Sequence, residues 1–223
     1  MAQLLYSRDG LQKHLGAARR HMRLCRQFNG TQFLVDQIQL PYNDLLAKEA
    51  ATLKKEEQRE DRYDDLLVAD NQLDDQVRSV FRRCEEYDRA NPANAALHLV
   101  YPEGKFGHII SMNMQQQPDT VEQVALRIER LGKDHPLLPL AKDLRDMVTA
   151  SRKAIKAYEE SIKQLKTTQA EEDIAKATLR RQYEINYLDA RKQLGKTLAE
   201  RLFPKLNNSS RGEVANATGS ETA

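Results

Sequence analysis

Residues 54–62 read KKEEQREDR and residues 166–173 read KTTQAEED. Each is a polar gap in the apolar stripe of a long helical stretch, the first within residues 42–91 and the second within residues 137–203. Gln58 lies 33 residues before Asn91, and Ala170 lies 33 residues after Leu137. Folded antiparallel with their near ends at Asn91 and Leu137, the two stretches bring their gaps to one level. The spacing therefore predicts an elongated helical molecule with a hydrated waist at 54–62 and 166–173.

Outside the gaps the apolar positions recur at helical spacing. Leu11, Leu15, Ala18, Met22 and Cys25 form one face of a short helix that Asn29-Gly30 ends, since both residues tolerate a left-handed turn. A second helix starts near Thr31, and Pro41 kinks or restarts it by removing a backbone hydrogen bond. Beyond its gap comes a heptad seam of Tyr63, Leu66, Asp70, Leu73, Val77, Val80, Cys84 and Tyr87, with Asn91-Pro92 as the stop. Val121, Val124, Ala125, Ile128 and Leu131 mark a third, shorter helix closed by Gly132. The fourth carries Leu144, Val148, Ile155, Tyr158, Ile162 and Leu165. After its gap it carries Ile174, Leu179, Tyr183, Tyr187, Ala190, Leu194 and Leu198.

Residues 97–112 depart from this rhythm. LHLVY and FGHIISM flank a Pro-Glu-Gly turn and read as a small β-hairpin insert, which must dock to be stable. The expected fold is thus all-α: an elongated antiparallel helical bundle or coiled coil with two long helices, two shorter ones and the hairpin. Residues 1–206 form it as one body. One lobe comprises about 1–53 with 174–206, the other about 63–165, and 207–223 is a small, polar, disordered tail.

Charged residues make up 30% of the chain, and the net charge is only +2, so there is no overall pull toward nucleic acid or anionic lipid. The N-terminal residues lack the pattern of a signal peptide and no stretch reaches the roughly 20 apolar residues of a membrane span, so a soluble, cytoplasmic protein is expected. Cys25 and Cys84 read as small core residues on separate helices, without a disulfide.

Enzyme motifs fail on inspection, and neither a cofactor nor a metal is expected. Gly195-Lys196-Thr197 resembles the end of a phosphate loop, but Ala190 replaces the first glycine, no strand precedes it, and the segment reads as mid-helix. None of His14, His21, His98, His108 and His135 has an acid at the spacing used by bundle metal sites. In the simplest hairpin register, His98 and His108 point to opposite faces.

Three features bear on function. Tyr101, Lys105 and Phe106 at the hairpin tip are candidate partner contacts, as are Tyr63 and Leu66 at the edge of an uncovered two-helix segment. Arg19, Arg20, Arg23 and Arg26 give the first helix a basic face. It suits an anionic membrane or a phosphate backbone, or else the acids of the second helix. The third feature is Asp70, which in a seam can set register. The expected function is a non-enzymatic coiled-coil interaction or scaffold protein, self-associating as a homodimer and binding an unidentified protein. The alternative is a membrane-surface or nucleic-acid-binding helical protein, including a pore-forming-type helical bundle with the insert as its tongue.

Overall fold

The computed structural model describes residues 4–203, and those residues contain helices and no strand. In chain order they form α1 (Leu11–Cys25), α2 (Gln32–Ala90), a 3-10 turn (Pro92–Asn94), α3 (Leu97–Val100), α4 (Gly107–Ile110), α5 (Gln117–Glu129), α6 (Leu138–Leu194) and α7 (Lys196–Leu202). The expected disordered tail, residues 207–223, lies outside the described residues. Both polar stretches stay helical within α2 and α6. Charged i,i+3 pairs such as Arg62–Asp65 and Lys176–Asp173 support the solvated faces there. Pro41 sits inside α2 without restarting it.

The described residues divide into two compact units, one of residues 4–50 with 170–203 and one of residues 51–169. In the first, contacts rising along α1 descend along α2: Gln12 bonds Glu49, Arg19 bonds Tyr42 and Arg26 bonds Gln39, so these helices run antiparallel. Leu15, Ala18, Met22 and Cys25 meet Leu34, Ile38 and Leu45 of α2 and Leu179, Tyr183 and Ala190 of α6. Gly195, at φ +82°, ends α6 and starts α7, so this residue is not mid-helix as its surroundings suggest. The turn carries Ala199, Leu202 and Phe203 into the same core.

The first unit also corrects the seam of α6. Ile174 is 68% exposed and its neighbour Ala175 is buried, with Leu179, Tyr183, Asn186 and Ala190 continuing the inward face. Ile174 lies nine residues after Leu165, off the three-and-four spacing that Ala175, Leu179, Tyr183, Asn186 and Ala190 keep, so it points outward.

In the second unit, Leu73, Val77, Val80 and Cys84 of α2 pack on Val121, Val124, Ala125 and Ile128 of α5 and Ala141, Leu144 and Val148 of α6. Arg152 of α6 bonds Asp119 and Glu122, and Arg145 bonds Glu129, pinning α5 antiparallel to α6. Cys25 in the first unit and Cys84 in the second are free and buried.

The expected β-hairpin is absent from the described residues: its two runs are the single-turn helices α3 and α4. Asp88 decides the first. Its carboxylate accepts from the N–H groups of Ala96 (2.6 Å) and Leu97 (3.1 Å), satisfying donors that a helix start leaves orphaned. Ala96 and Val100, four apart, then face the core while Leu99 is 60% exposed. A strand would have buried Leu97, Leu99 and Tyr101 on one face.

Candidate functional site

The second unit contains a stretch where α2 and α6 pair without joining a larger core. Leu66 and Leu165 are buried there, yet neither belongs to the clusters that hold the two units. The other buried positions of the stretch are short and polar: Thr52, Ser151 and Ser161. Ser161 donates to the Tyr158 carbonyl at 2.6 Å, while the Thr52 hydroxyl has no partner. The Tyr63 and Tyr158 rings meet across the pair at 5.5 Å, with Tyr63 still 44% exposed. Lys55 bridges to Gln164 at 2.9 Å.

Grooves flank this pair. Arg59, Glu60, Tyr63, Asp64 and Tyr158 line one of about 460 Å³. Gln58, Arg62, Lys153, Glu160 and Gln164 contribute to another of about 640 Å³. Leu53 and Val68 stand 54% and 56% exposed. Asp70 is half-buried, and burial together with the nearby Asp74 holds its carboxyl above the ordinary range. The arrangement offers contact surface along the helix pair.

The remaining sequence candidates fall in three places. Leu66 is buried at the pair's interface, so of the edge residues only Tyr63 presents much surface. Tyr101 is core: its ring packs edge-on to Phe81, and its hydroxyl donates to the Val77 carbonyl at 3.2 Å. Phe106 also leans on Phe81, at 4.9 Å, leaving Lys105 exposed beside a cavity of about 340 Å³. The basic face of α1 is exposed, but among the described residues no ion pair joins Arg19, Arg20, Arg23 or Arg26 to an α2 carboxylate. Arg19 donates to the Tyr42 hydroxyl at 3.0 Å and Arg26 to Gln39 at 3.4 Å, so the reading in which acids absorb these arginines is corrected.

One polar cluster of the first unit stands outside those candidates. His21, wholly buried, hydrogen-bonds the Leu202 carbonyl through Nδ1 (3.1 Å) and meets Asn186 Nδ2 at Nε2 (3.2 Å). Asn186 also donates to the Leu34 carbonyl at 2.7 Å and accepts from Gln182 at 2.9 Å. Phe203 lies 4.1 Å from the imidazole, centroid to centroid. Burial pushes His21 down to about 4 and the nearby Cys25 thiol up to about 12. Both are therefore neutral, and the pair is structural, with no thiolate for nucleophilic chemistry. Sequence reading passed over this cluster; the seven-residue spacing of His14 and His21, in step with Ala18 and Cys25 of α1, is the signal that points to it.

Among the described residues no helix is long and apolar enough to cross a membrane, and no group of three or more His, Cys, Asp or Glu is placed to hold a metal ion. Compared with known proteins, the chain matches no family model, no curated protein and no solved structure.

Proposed function

We propose that the protein is a non-enzymatic helical interaction or scaffold protein, an elongated antiparallel bundle that self-associates as a homodimer and presents its surface to a protein partner. The observation that carries this reading is the two-helix stretch of the second unit. Two helices alone cannot enclose a core, and here they leave Leu53, Tyr63 and Val68 in water. A second copy laid along this stretch covers those side chains and completes the packing around Leu66 and Leu165. The same reading places the protein in the cytoplasm.

Light scattering coupled to size exclusion, with small-angle X-ray scattering, tests it on the full chain. The expected result is an elongated dimer. Replacing both Tyr63→Glu and Val68→Glu weakens dimerisation by about tenfold or more, a change of about 1.4 kcal/mol. A compact monomer overturns both the shape and the dimer, and an elongated monomer overturns self-association.

A second reading follows from the α1 arginines, whose charge no described α2 acid offsets. It makes Arg19, Arg20, Arg23 and Arg26 the contact for an anionic membrane or a nucleic acid. Co-sedimentation with anionic liposomes or DNA across a salt series tests it. Binding that vanishes when the four are changed to Gln supports it, and no binding at low salt overturns it.

A further inference from the structure

The last third of α6 has two faces. Ala175, Leu179, Tyr183, Asn186 and Ala190 fill the inward one and are buried. Ile174, Thr178, Arg181, Ile185, Leu188 and Lys192 fill the other, and each of them is exposed. They recur at alternating steps of four and three residues, the repeat of a coiled-coil seam. Ile174 is 68% exposed, Ile185 39% and Leu188 56%, and among the described residues they are the large apolar side chains that α6 leaves in water. Apolar residues exposed singly are ordinary, but three on one stripe of a helix make a contact face. At about 1.5 Å per residue the stripe is about 27 Å long.

Its charges select the occupant. Arg181 and Lys192 stand in the stripe and Glu184 flanks it, and among the described residues none of the three has an ion-pair partner. A second copy laid parallel sets Arg181 against Arg181 and Lys192 against Lys192, which repel. Laid antiparallel about a two-fold axis at the level of Tyr183, the stripe meets itself differently. Arg181 then faces Ile185, Thr178 faces Leu188 and Ile174 faces Lys192, each contact occurring twice. Around the axis each Arg181 lies beside the other copy's Glu184, so four charges alternate in sign. At either end Lys192 lays its aliphatic stem over Ile174 and brings its ammonium toward Asp173, whose side chain is 72% exposed.

We propose that this face of α6 is a self-association surface, pairing antiparallel with the same face of a second copy. It uses residues of the first unit alone, so it does not rest on the contact proposed around Tyr63. Two cations in the seam keep the affinity low. Where the second-unit contact makes a dimer, this one joins dimers at higher concentration, because two self-complementary faces on one chain carry assembly past two copies.

Sedimentation velocity of the full chain across a concentration series tests this, in a Tyr63→Glu/Val68→Glu background that disables the second-unit contact. Concentration-dependent dimerisation is expected to persist there, and Leu188→Glu to weaken it about tenfold or more. Arg181→Glu and Glu184→Arg each weaken it as well. An equimolar mixture of those two variants pairs as tightly as the background chain, because each altered charge then meets its opposite across the axis. A circular dichroism spectrum that matches the background's shows that these exposed substitutions leave α6 folded. No association of the background chain at any soluble concentration overturns the proposal and leaves the second-unit contact standing. A mixture that associates no better than its components also overturns it. So does self-association that Leu188→Glu leaves unchanged, an outcome that assigns the face to a different protein.

Discussion

The two units bury different chemistry. The core of the first encloses His14, His21, Thr31 and Asn186 among its aliphatic and aromatic side chains, all at 0% exposure. Thr31 donates to the carbonyls of Cys25 and Phe28, and Asn186 ties α6 to α1 and α2 in one network. The core of the second is mostly apolar, from Leu73 to Val148, with the Tyr101 hydroxyl and the Gln117 side chain as its buried polar groups. A buried polar network rewards one arrangement, because each alternative strands a donor or acceptor. An aliphatic core rewards volume and tolerates rearrangement. The first unit is therefore specified by directional bonds and, through its buried imidazoles, sensitive to acid, and the core of the second is specified mainly by packing.

The largest effect that can break this contrast is a cavity in the second unit. Leu144→Ala removes a fully buried side chain and is expected to cost about 3–4 kcal/mol, read as lost hydrogen-exchange protection in residues 73–148. A cost below about 1 kcal/mol shows that this core collapses freely and is not packing-specified.

Acid sharpens the contrast from the other side. Burial lowers His21 from 6.5 to about 4, so the unfolded chain binds its proton first as pH falls. Stability is full above about pH 6.5 and declines as pH falls toward 4, by about 3 kcal/mol at 1.36 kcal/mol per pH unit. His14, also lowered, acts in the same direction. Exchange protection around Leu34, Leu179 and Tyr183 should fall across that window before protection around Val77 and Val124 does. Equal loss in both units removes the distinction.

The smallest effect concerns the two-helix stretch. Asp70 has a raised carboxyl pKa in the fold, so its charge opposes folding once pH exceeds the ordinary carboxylate range. Asp70→Asn should stabilise the protein by a fraction of about 1 kcal/mol at pH 7, given the group's partial exposure, and by nothing below pH 3.8. A lower urea midpoint for the variant at pH 7 means that the carboxylate has a favourable role at the seam.

Much of this was legible from residue spacing. The inward faces of α1 and α5 follow their apolar repeats, and Gly30 and Gly132 take the positive φ angles, 80° and 120°, that a stop glycine allows. The candidate surface around Tyr63 was visible as the place where the stripe thins. Other residues resisted reading for identifiable reasons. Leu97–Val100 is too short for periodicity to tell strand from helix, and Asp88, eight residues before Ala96, settles it by a bond that spacing does not reveal. Tyr101 looked like a tip residue and is core because Phe81 and the Val77 carbonyl meet it.

By itself the sequence determined that the described residues are mainly helical, with two long amphipathic helices that turn polar partway along, because local periodicity and stop residues act over one or two turns. Only the tertiary structure decided which face of α6 turns inward beyond its polar stretch, that His14 and His21 lie buried and neutral, and that the insert is helical. Those outcomes depend on partners far along the chain: Leu202 for His21, Leu34 for Asn186 and Val77 for Tyr101. A hydrogen bond between residues separated by 24 to 181 positions leaves no periodic trace in the sequence that makes it.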